Sequence, residues 1–285
     1  MGITPLKIEP GAKVFITGAA SGIGRATAVA MARLGCVLFL TDRNQHGLEE
    51  TAAMISQAGG KVGLHRAFDI SSYTDVKSFA DEIHPAFGPM DVVMNIAGIA
   101  LFALLEDMDH AHWEKIIRVN LWGPIHVIEC FVPEMIKVKR GHLLNVSSAA
   151  GLTGAPWHAA YAATKWGLVG LSEVLRYDLR QHGIGVSVVC PGAVETPLKN
   201  TVEILGMTPG GKAEKEMKRR FSNHAVSPER AAELMIRAIQ RDQFLVFTSR
   251  DIQLIYFCKR HLFPIYHGVM IYISKLLNAG RYPGR

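Results

Sequence analysis

Four cysteines are too few and too scattered to staple a fold or hold a metal. Cys36, Cys130, Cys190 and Cys258 show no C-x-x-C or other metal-ligand spacing, and they read as buried, reduced thiols in a cytosolic setting. Histidine offers no metal pattern either, because His110 and His112, two residues apart, point to different helix faces and belong at the surface. The opening MGITPLKIEPGAK lacks the basic start and apolar stretch of a signal peptide, and Leu6 stands where a myristoylation signal requires Ser or Thr. A cytoplasmic protein is expected. In the aromatic-rich C-terminal tail, the longest uncharged run, His261 to Ser274, is too short and too polar to span a bilayer. Internal repeats and low-complexity tracts are absent, and 285 residues are ample for a sizeable core.

Charge is uneven along the chain. Residues 1–211 carry 17 Lys+Arg against 19 Asp+Glu, whereas residues 212–285 carry 14 against 6, so the whole excess of +6 lies in the last quarter. No nucleic-acid recognition motif accompanies it. A solvated basic face is therefore preferred to a specific anionic partner.

Between Lys13 and Phe247, short apolar runs alternate with segments of helical period. The expected strands are KVFIT (13–17), CVLFLT (36–41), KVGLHRAF (61–68), DVVMN (91–95), HLLNVS (142–147), IGVSVVC (184–190) and FLVF (244–247). Most are apolar throughout, as in a parallel sheet covered on both sides. Helices are expected at 22–34, 45–58, 107–136 and 157–182, with another opening at Ser227-Pro228-Glu229. Regular alternation predicts one doubly wound α/β domain, since no Pro/Gly/Ser-rich linker divides it. Two segments break the pattern. Residues 196–225 are too long for an ordinary connection and suggest a lid over substrate, and residues 251–285 form a C-terminal helical extension.

The first strand runs into Gly18, Gly22 and Gly24, so the glycines occupy the first strand-to-helix turn. Outward-pointing N–H groups at a helix start carry partial positive charge, and glycine leaves room for a pyrophosphate to reach them. The spacing Gly-x-x-x-Gly-x-Gly departs from the Gly-x-Gly-x-x-Gly fingerprint, but Asp42 stands at the end of the second strand, where an acidic residue accepts hydrogen bonds from an adenosine ribose. At about 5 Å and an effective dielectric near 20, a carboxylate repels each unit charge of a 2′-phosphate by roughly 3 kcal/mol. NAD is thus preferred over NADP, although Arg43 could clamp the same phosphate.

Tyr161 and Lys165, in YAATK, are four apart and share a helix face. An ammonium beside the phenol favours phenolate, and a usable general base near neutrality asks for roughly 4 kcal/mol of stabilisation from Lys165 and a nicotinamide charge together. Ser148 precedes them at the end of an apolar strand.

With these residues in hand, the chain resembles the short-chain dehydrogenase/reductase family over about residues 12–197, through Thr17-Gly18-Ala19-Ala20-Ser21-Gly22-Ile23-Gly24, Asp69, Asn95-Ile96-Ala97-Gly98, Asn120, Ser148, Tyr161, Lys165 and Pro191-Gly192 with Thr196. The resemblance implies a Rossmann-type sheet with helices on both faces. It implies Tyr161 as general acid/base, Ser148 holding the substrate oxygen, Lys165 binding the nicotinamide ribose and lowering the tyrosine pKa, and Asn120 positioning a relay water. For the cofactor it implies contacts from Thr17, Gly18, Ser21, Gly22, Ile23, Gly24, Asp42 and Arg43, from Asp69 and Ile70 at the adenine, and from Asn95, Ala97 and Gly98. Pro191, Gly192, Val194 and Thr196 join Tyr161 and Lys165 at the nicotinamide end. Ile96 replaces a second asparagine common in the family, and Ser21 lacks the basic character often seen in NADP users, which again points to NAD.

Substrate contacts are expected from Ser148, Ala150, Tyr161 and Trp157, the last equally at home as a core aromatic. Leu101, Phe102, Ile204, Leu205 and Met207 complete an apolar pocket for a hydrophobic secondary alcohol or ketone of steroid, retinoid or acyl type. His158, near the pocket mouth, could touch substrate, but a place in solvent is preferred. Other readings are an NADP-dependent carbonyl reductase, a catalytically silent nucleotide sensor or scaffold, and an epimerase or dehydratase. The complete Asn120, Ser148, Tyr161, Lys165 set speaks against a silent binder, and the short C-terminal part leaves little room for a sugar-nucleotide domain. The tail covers the pocket or a dimer surface in the favoured reading, with an anionic membrane or an acidic partner as alternatives. The resemblance also implies a homodimer or homotetramer paired through 107–136 and 157–182.

Overall fold

The computed structural model describes residues 5–197, 202–207, 210–211 and 225–279. Seven parallel strands form its centre: β1 (Lys13–Thr17), β2 (Val37–Asp42), β3 (Lys61–Ala67), β4 (Val92–Asn95), β6 (Gly141–Val146), β7 (Ile184–Cys190) and β9 (Leu245–Phe247). Their order is β3-β2-β1-β4-β6-β7-β9, and the short β5 (Leu101–Phe102) and β8 (Glu203–Ile204) pair with each other apart from this sheet. Helices α1 (Gly22–Arg33), α2 (Gln45–Gln57), α3 (Tyr73–Phe87), α4 (His110–Ile117), α5 (Gly123–Val138), α6 (Ala159–Asp178) and α7 (Pro228–Arg241) lie between the strands.

Alternation along a strand explains the two layers. On β1, Val14 and Ile16 enter one core with α1, α2 and α7, while Phe15 enters the other with α3, α5 and α6. Phe15 stacks on Phe131 of α5 at 4.2 Å between ring centroids. Since both faces are covered, β6 and β7 are buried along their whole length and β1 at all but its first residue. β3 departs from that rule, being half-exposed as an edge strand. Strand order reverses at β1 and β4, which opens a crevice at their carboxyl ends.

The helix expected over 107–136 is broken. A turn of π-helix, Arg118–Trp122, separates α4 from α5. Pro124 has no N–H to give the carbonyl of Asn120, so a regular ladder of α-helical bonds cannot pass this point. The tail forms two helices, α8 (Arg250–His261) and α9 (Phe263–Ala279), divided at Leu262. Pro264 sits in the first turn of α9, where its missing N–H leaves no helical bond unmade. Most of the expected lid, namely 198–201, 208–209 and 212–224, lies outside the described residues.

Candidate active site

The glycine turn is packed from behind and open in front. A Cβ on Gly18 would come within 2.9 Å of the Ala97 backbone, and one on Gly24 would overlap the Gly18 carbonyl. Gly22 has φ +52°, and a Cβ there would lie 3.0 Å from Thr196. Ser21 places no side-chain cap on α1, and no acidic residue occupies its first turn. That helix end can therefore receive an anion. Asp42 accepts from the Ala20 amide at 3.0 Å and from the Asn44 amide at 2.9 Å, so its carboxylate also anchors the glycine loop. Arg43 is exposed beside it. Arg25 donates to the Ala20 carbonyl at 2.6 Å and to Thr51, whose hydroxyl in turn donates to the Ala19 carbonyl at 2.9 Å. The bonds through Thr51, which brace the loop against α2, escaped the sequence reading because they join residues 26 and 32 apart.

Several expected cofactor residues turn inward. The Thr17 hydroxyl accepts from the Ile96 and Ala97 amides at 3.0 and 3.1 Å, tying β1 to β4. Asn95 is buried and donates to Asn145 at 2.9 Å, so its side chain serves the sheet. Ile70 is buried against Gly123 of α5, which leaves its backbone as the part able to meet a ligand. Asp69 is exposed and accepts from the Ser71 amide at 2.9 Å.

Ser148, Tyr161 and Lys165 do converge. Ser148 follows β6, its hydroxyl accepting from the Ala150 amide at 3.1 Å, and it lines the same cavity as the phenol of Tyr161 from α6. One turn along α6, the Lys165 ammonium donates to the Val146 carbonyl at 3.0 Å and lies 5.7 Å from the centre of the Tyr161 ring. Gly151 lets α6 approach, since a Cβ there would overlap Ser147 and crowd the Lys165 carbonyl. Asn120, buried in the π-turn, accepts from the Ile99 amide and donates to the Ile99 carbonyl, both at 2.9 Å. Gly98 brings these parts together, its absent Cβ lying 3.2 Å from Asn120 Oδ1 and 3.4 Å from Lys165 Nζ.

Burial pushes the Tyr161 phenol above its ordinary value, the Ser148 hydroxyl beside it pulling it back only in part. Burial also brings Lys165 down to about 8. In the protein by itself, desolvation outweighs the acidification expected from the lysine. Cys190, beside them on β7, is pushed up to about 12 by burial and stays a neutral thiol.

Above these residues lies a cavity of about 460 Å³, walled mainly by apolar side chains. Ser148, Ala150, Tyr161, Phe102 and Ile204 line it as expected, together with Pro191, Gly192, Val194 and Thr196. Trp157 does not. It is buried with φ +69°, and its indole N–H donates to Asn278 of α9 at 2.9 Å. His158 takes the inward place, 5% exposed and 4.1 Å from the Phe102 ring, with burial holding its pKa down. The solvated histidine expected from the sequence is overturned, because its backbone bridges to Ala103 and turns the ring inside. Leu101 and Leu205 pack in a neighbouring cluster with Ile116 and Ala160. The far wall comes from Ile252, Ile255, Met270, Ile273 and Leu277 of α8 and α9, as the pocket-covering reading of the tail requires. Gly192 permits this, since a Cβ there would lie 2.9 Å from Ile252.

The family model for short chain dehydrogenases matches residues 12–204, and the chain belongs to that family of oxidoreductases. It is 35% identical over 184 residues to the 3-oxoacyl-acyl-carrier-protein reductase of Thermotoga maritima, covering 65% of this chain and 74% of that protein. With estradiol 17-beta-dehydrogenase 11 of Macaca fascicularis it is 32% identical over 260 residues, 90% of this chain and 81% of the other. A short-chain dehydrogenase/reductase from Burkholderia phymatum, solved in complex with NAD, superposes with a TM-score of 0.82 at 28% identity, over 91% of this chain and 96% of its own. A metagenomic short-chain oxidoreductase in complex with NADP superposes at 0.69 with 34% identity, over 85% and 97%. The chain is thus an NAD(P)-binding enzyme acting on CH–OH groups.

Proposed function

We propose that this enzyme interconverts a hydrophobic secondary alcohol and its ketone with NAD, and that Tyr161 is the general acid/base. The observation carrying this reading is the convergence of Ser148 and Tyr161 on one apolar cavity, with Lys165 one helical turn behind. The amides of α1, Asp42 and the Asp69–Ile70 backbone would hold a dinucleotide, which when bound would supply the hydride carrier. Tyr161 takes the alcohol proton in one direction and returns it in the other. Ser148 donates to the substrate oxygen where negative charge develops. Lys165, anchored on Val146, faces the same side of α6 as the phenol and holds the ribose. Asn120 keeps the π-turn and Ile99 in place beneath them.

The preference for NAD rests on the Asp42 carboxylate, which keeps acceptor capacity beyond its two backbone bonds. The cavity suits a substrate of steroid, retinoid or acyl type in size and in its scarcity of polar groups. The expected pairing of two or four copies through α5 and α6 is supported by the exposure of Val174 and Tyr177 on α6.

Tyr161→Phe tests the mechanism. Cofactor binding, followed by nicotinamide fluorescence, stays within about twofold of wild type, while turnover falls by at least about 10³-fold. A variant keeping most of the wild-type rate removes Tyr161 from the proton transfer.

A further inference from the structure

The terminal helices carry two apolar faces. Tyr266, Met270, Ile273 and Leu277 recur at intervals of four, three and four residues and face the body and its cavity. One position earlier in each turn, Ile265, Val269, Tyr272 and Leu276 repeat the spacing in solvent, Ile265 at 59% and Tyr272 at 63% exposed. Leu254 and Phe257 on α8, with Leu262 and Phe263 at the break, extend this second face. About half of the large apolar side chains exposed among the described residues fall between Leu254 and Leu276. Such concentration is a patch rather than scatter, and a helix apolar on both sides is one whose outer side meets something other than water.

Charge indicates what that is. On the described part of α8 and α9, Arg260 and Lys275 are exposed beside the apolar face against Asp251 alone, while Lys259 turns inward. Two copies meeting there would bring like charges together, whereas an anionic lipid surface offers an apolar medium with negative headgroups above it. Among the described residues no helix is long and apolar enough to cross a membrane. The helices are also tied down. Lys259 donates to the Leu152 carbonyl at 2.6 Å, the Gly154 amide to Tyr266 at 2.7 Å, and Trp157 to Asn278 at 2.9 Å. A surface held in this way is preformed, so docking needs no release of the cavity wall.

We propose that the outward face of α8 and α9 is a docking surface for an anionic lipid bilayer, on which the enzyme lies flat without crossing it. The test is flotation of the full chain with vesicles of phosphatidylcholine alone or mixed with phosphatidylglycerol, at low and high salt. Binding to the mixed vesicles at low salt, about tenfold weaker on phosphatidylcholine alone and lost at high salt, is expected. The double variant Ile265→Glu with Tyr272→Glu loses that binding while keeping its cofactor affinity. Should it fail to fold by circular dichroism, Arg260→Glu with Lys275→Glu carries the same expectation, since it leaves the apolar side chains in place. Absence of flotation on mixed vesicles overturns the proposal, as does undiminished flotation of a folded variant. Wild-type assembly by ultracentrifugation that the variants abolish, without flotation, assigns the face to a second copy and overturns it equally.

Discussion

Gly22 and Gly24 stand two residues apart in one turn and resist substitution for different reasons. A methyl group on Gly24 would overlap the backbone of Gly18, which cannot yield without displacing β1, so Gly24→Ala is expected to lower the melting temperature sharply, with a loss of about 3 kcal/mol or more. Gly22→Ala meets the Thr196 side chain at 3.0 Å, which must give by a few tenths of an ångström, and an unfavourable φ, costing about 1–2 kcal/mol. Its larger effect falls on cofactor affinity, measured by titration, and a variant binding NAD as wild type shows that nothing approaches the turn there. Asp42→Ala is expected to raise the kcat/KM ratio of NADP over NAD by about 10–100-fold, in line with removing roughly 3 kcal/mol of repulsion lessened by solvent. Spacing made the Tyr161–Lys165 pair legible, because residues four apart on a helix meet whatever the rest of the chain does. Asn95 and Thr17 were not legible in the same way. Their place in the order of motifs pointed to the cofactor, yet their side chains pair with Asn145 and with the Ile96 and Ala97 amides, partners set only once β1, β4 and β6 lie side by side.

At the scale of elements, periodicity located the strands within a residue or two, since each is bounded by a change of period. The π-turn went unseen, although Gly123-Pro124 was the available signal for an interruption. The tail shows the limit more clearly. Its helices could be anticipated, but nothing within 251–279 shows that Tyr266 will accept from Gly154, a partner 112 residues away. Tyr266→Phe leaves that amide without its partner, and a loss of about 1–2 kcal/mol in denaturant unfolding is expected. Ile273→Ala leaves the chemistry untouched and removes part of the cavity wall. Its KM for a bulky hydrophobic alcohol is expected to rise by about 10-fold while that for a small secondary alcohol holds within about twofold. Equal effects on both substrates would place the bulky one elsewhere.

For the whole molecule, acid stability turns on a histidine outside the active site. His142 on β6 is 1% exposed, within 2.8 Å of the Ser187 hydroxyl, and burial with the nearby Arg176 charge pulls its pKa down to about 3. An unfolded histidine titrates near 6.5, so between pH 6.5 and 3 the unfolded chain binds the extra proton and stability falls as pH falls. Below pH 3 both states are protonated and this contribution levels off. The loss amounts to a few kcal/mol at about 1.4 kcal/mol per pH unit. Melting temperatures measured across that window should decline less steeply in His142→Gln than in wild type, and parallel curves would show that His142 titrates normally.

By itself the sequence determined the alternating elements, the glycine turn, the acidic residue at the end of β2 and the Ser148, Tyr161, Lys165 set, all of which follow from local spacing and side-chain chemistry. Tertiary structure alone decided that His158 turns into the cavity and Trp157 toward Asn278, that burial opposes acidification of the phenol, and that α8 and α9 close the substrate space. The reason is common to these cases: contacts between residues far apart in the chain, and the loss of solvent they bring, depend on how the layers pack, and no periodicity in the chain records it.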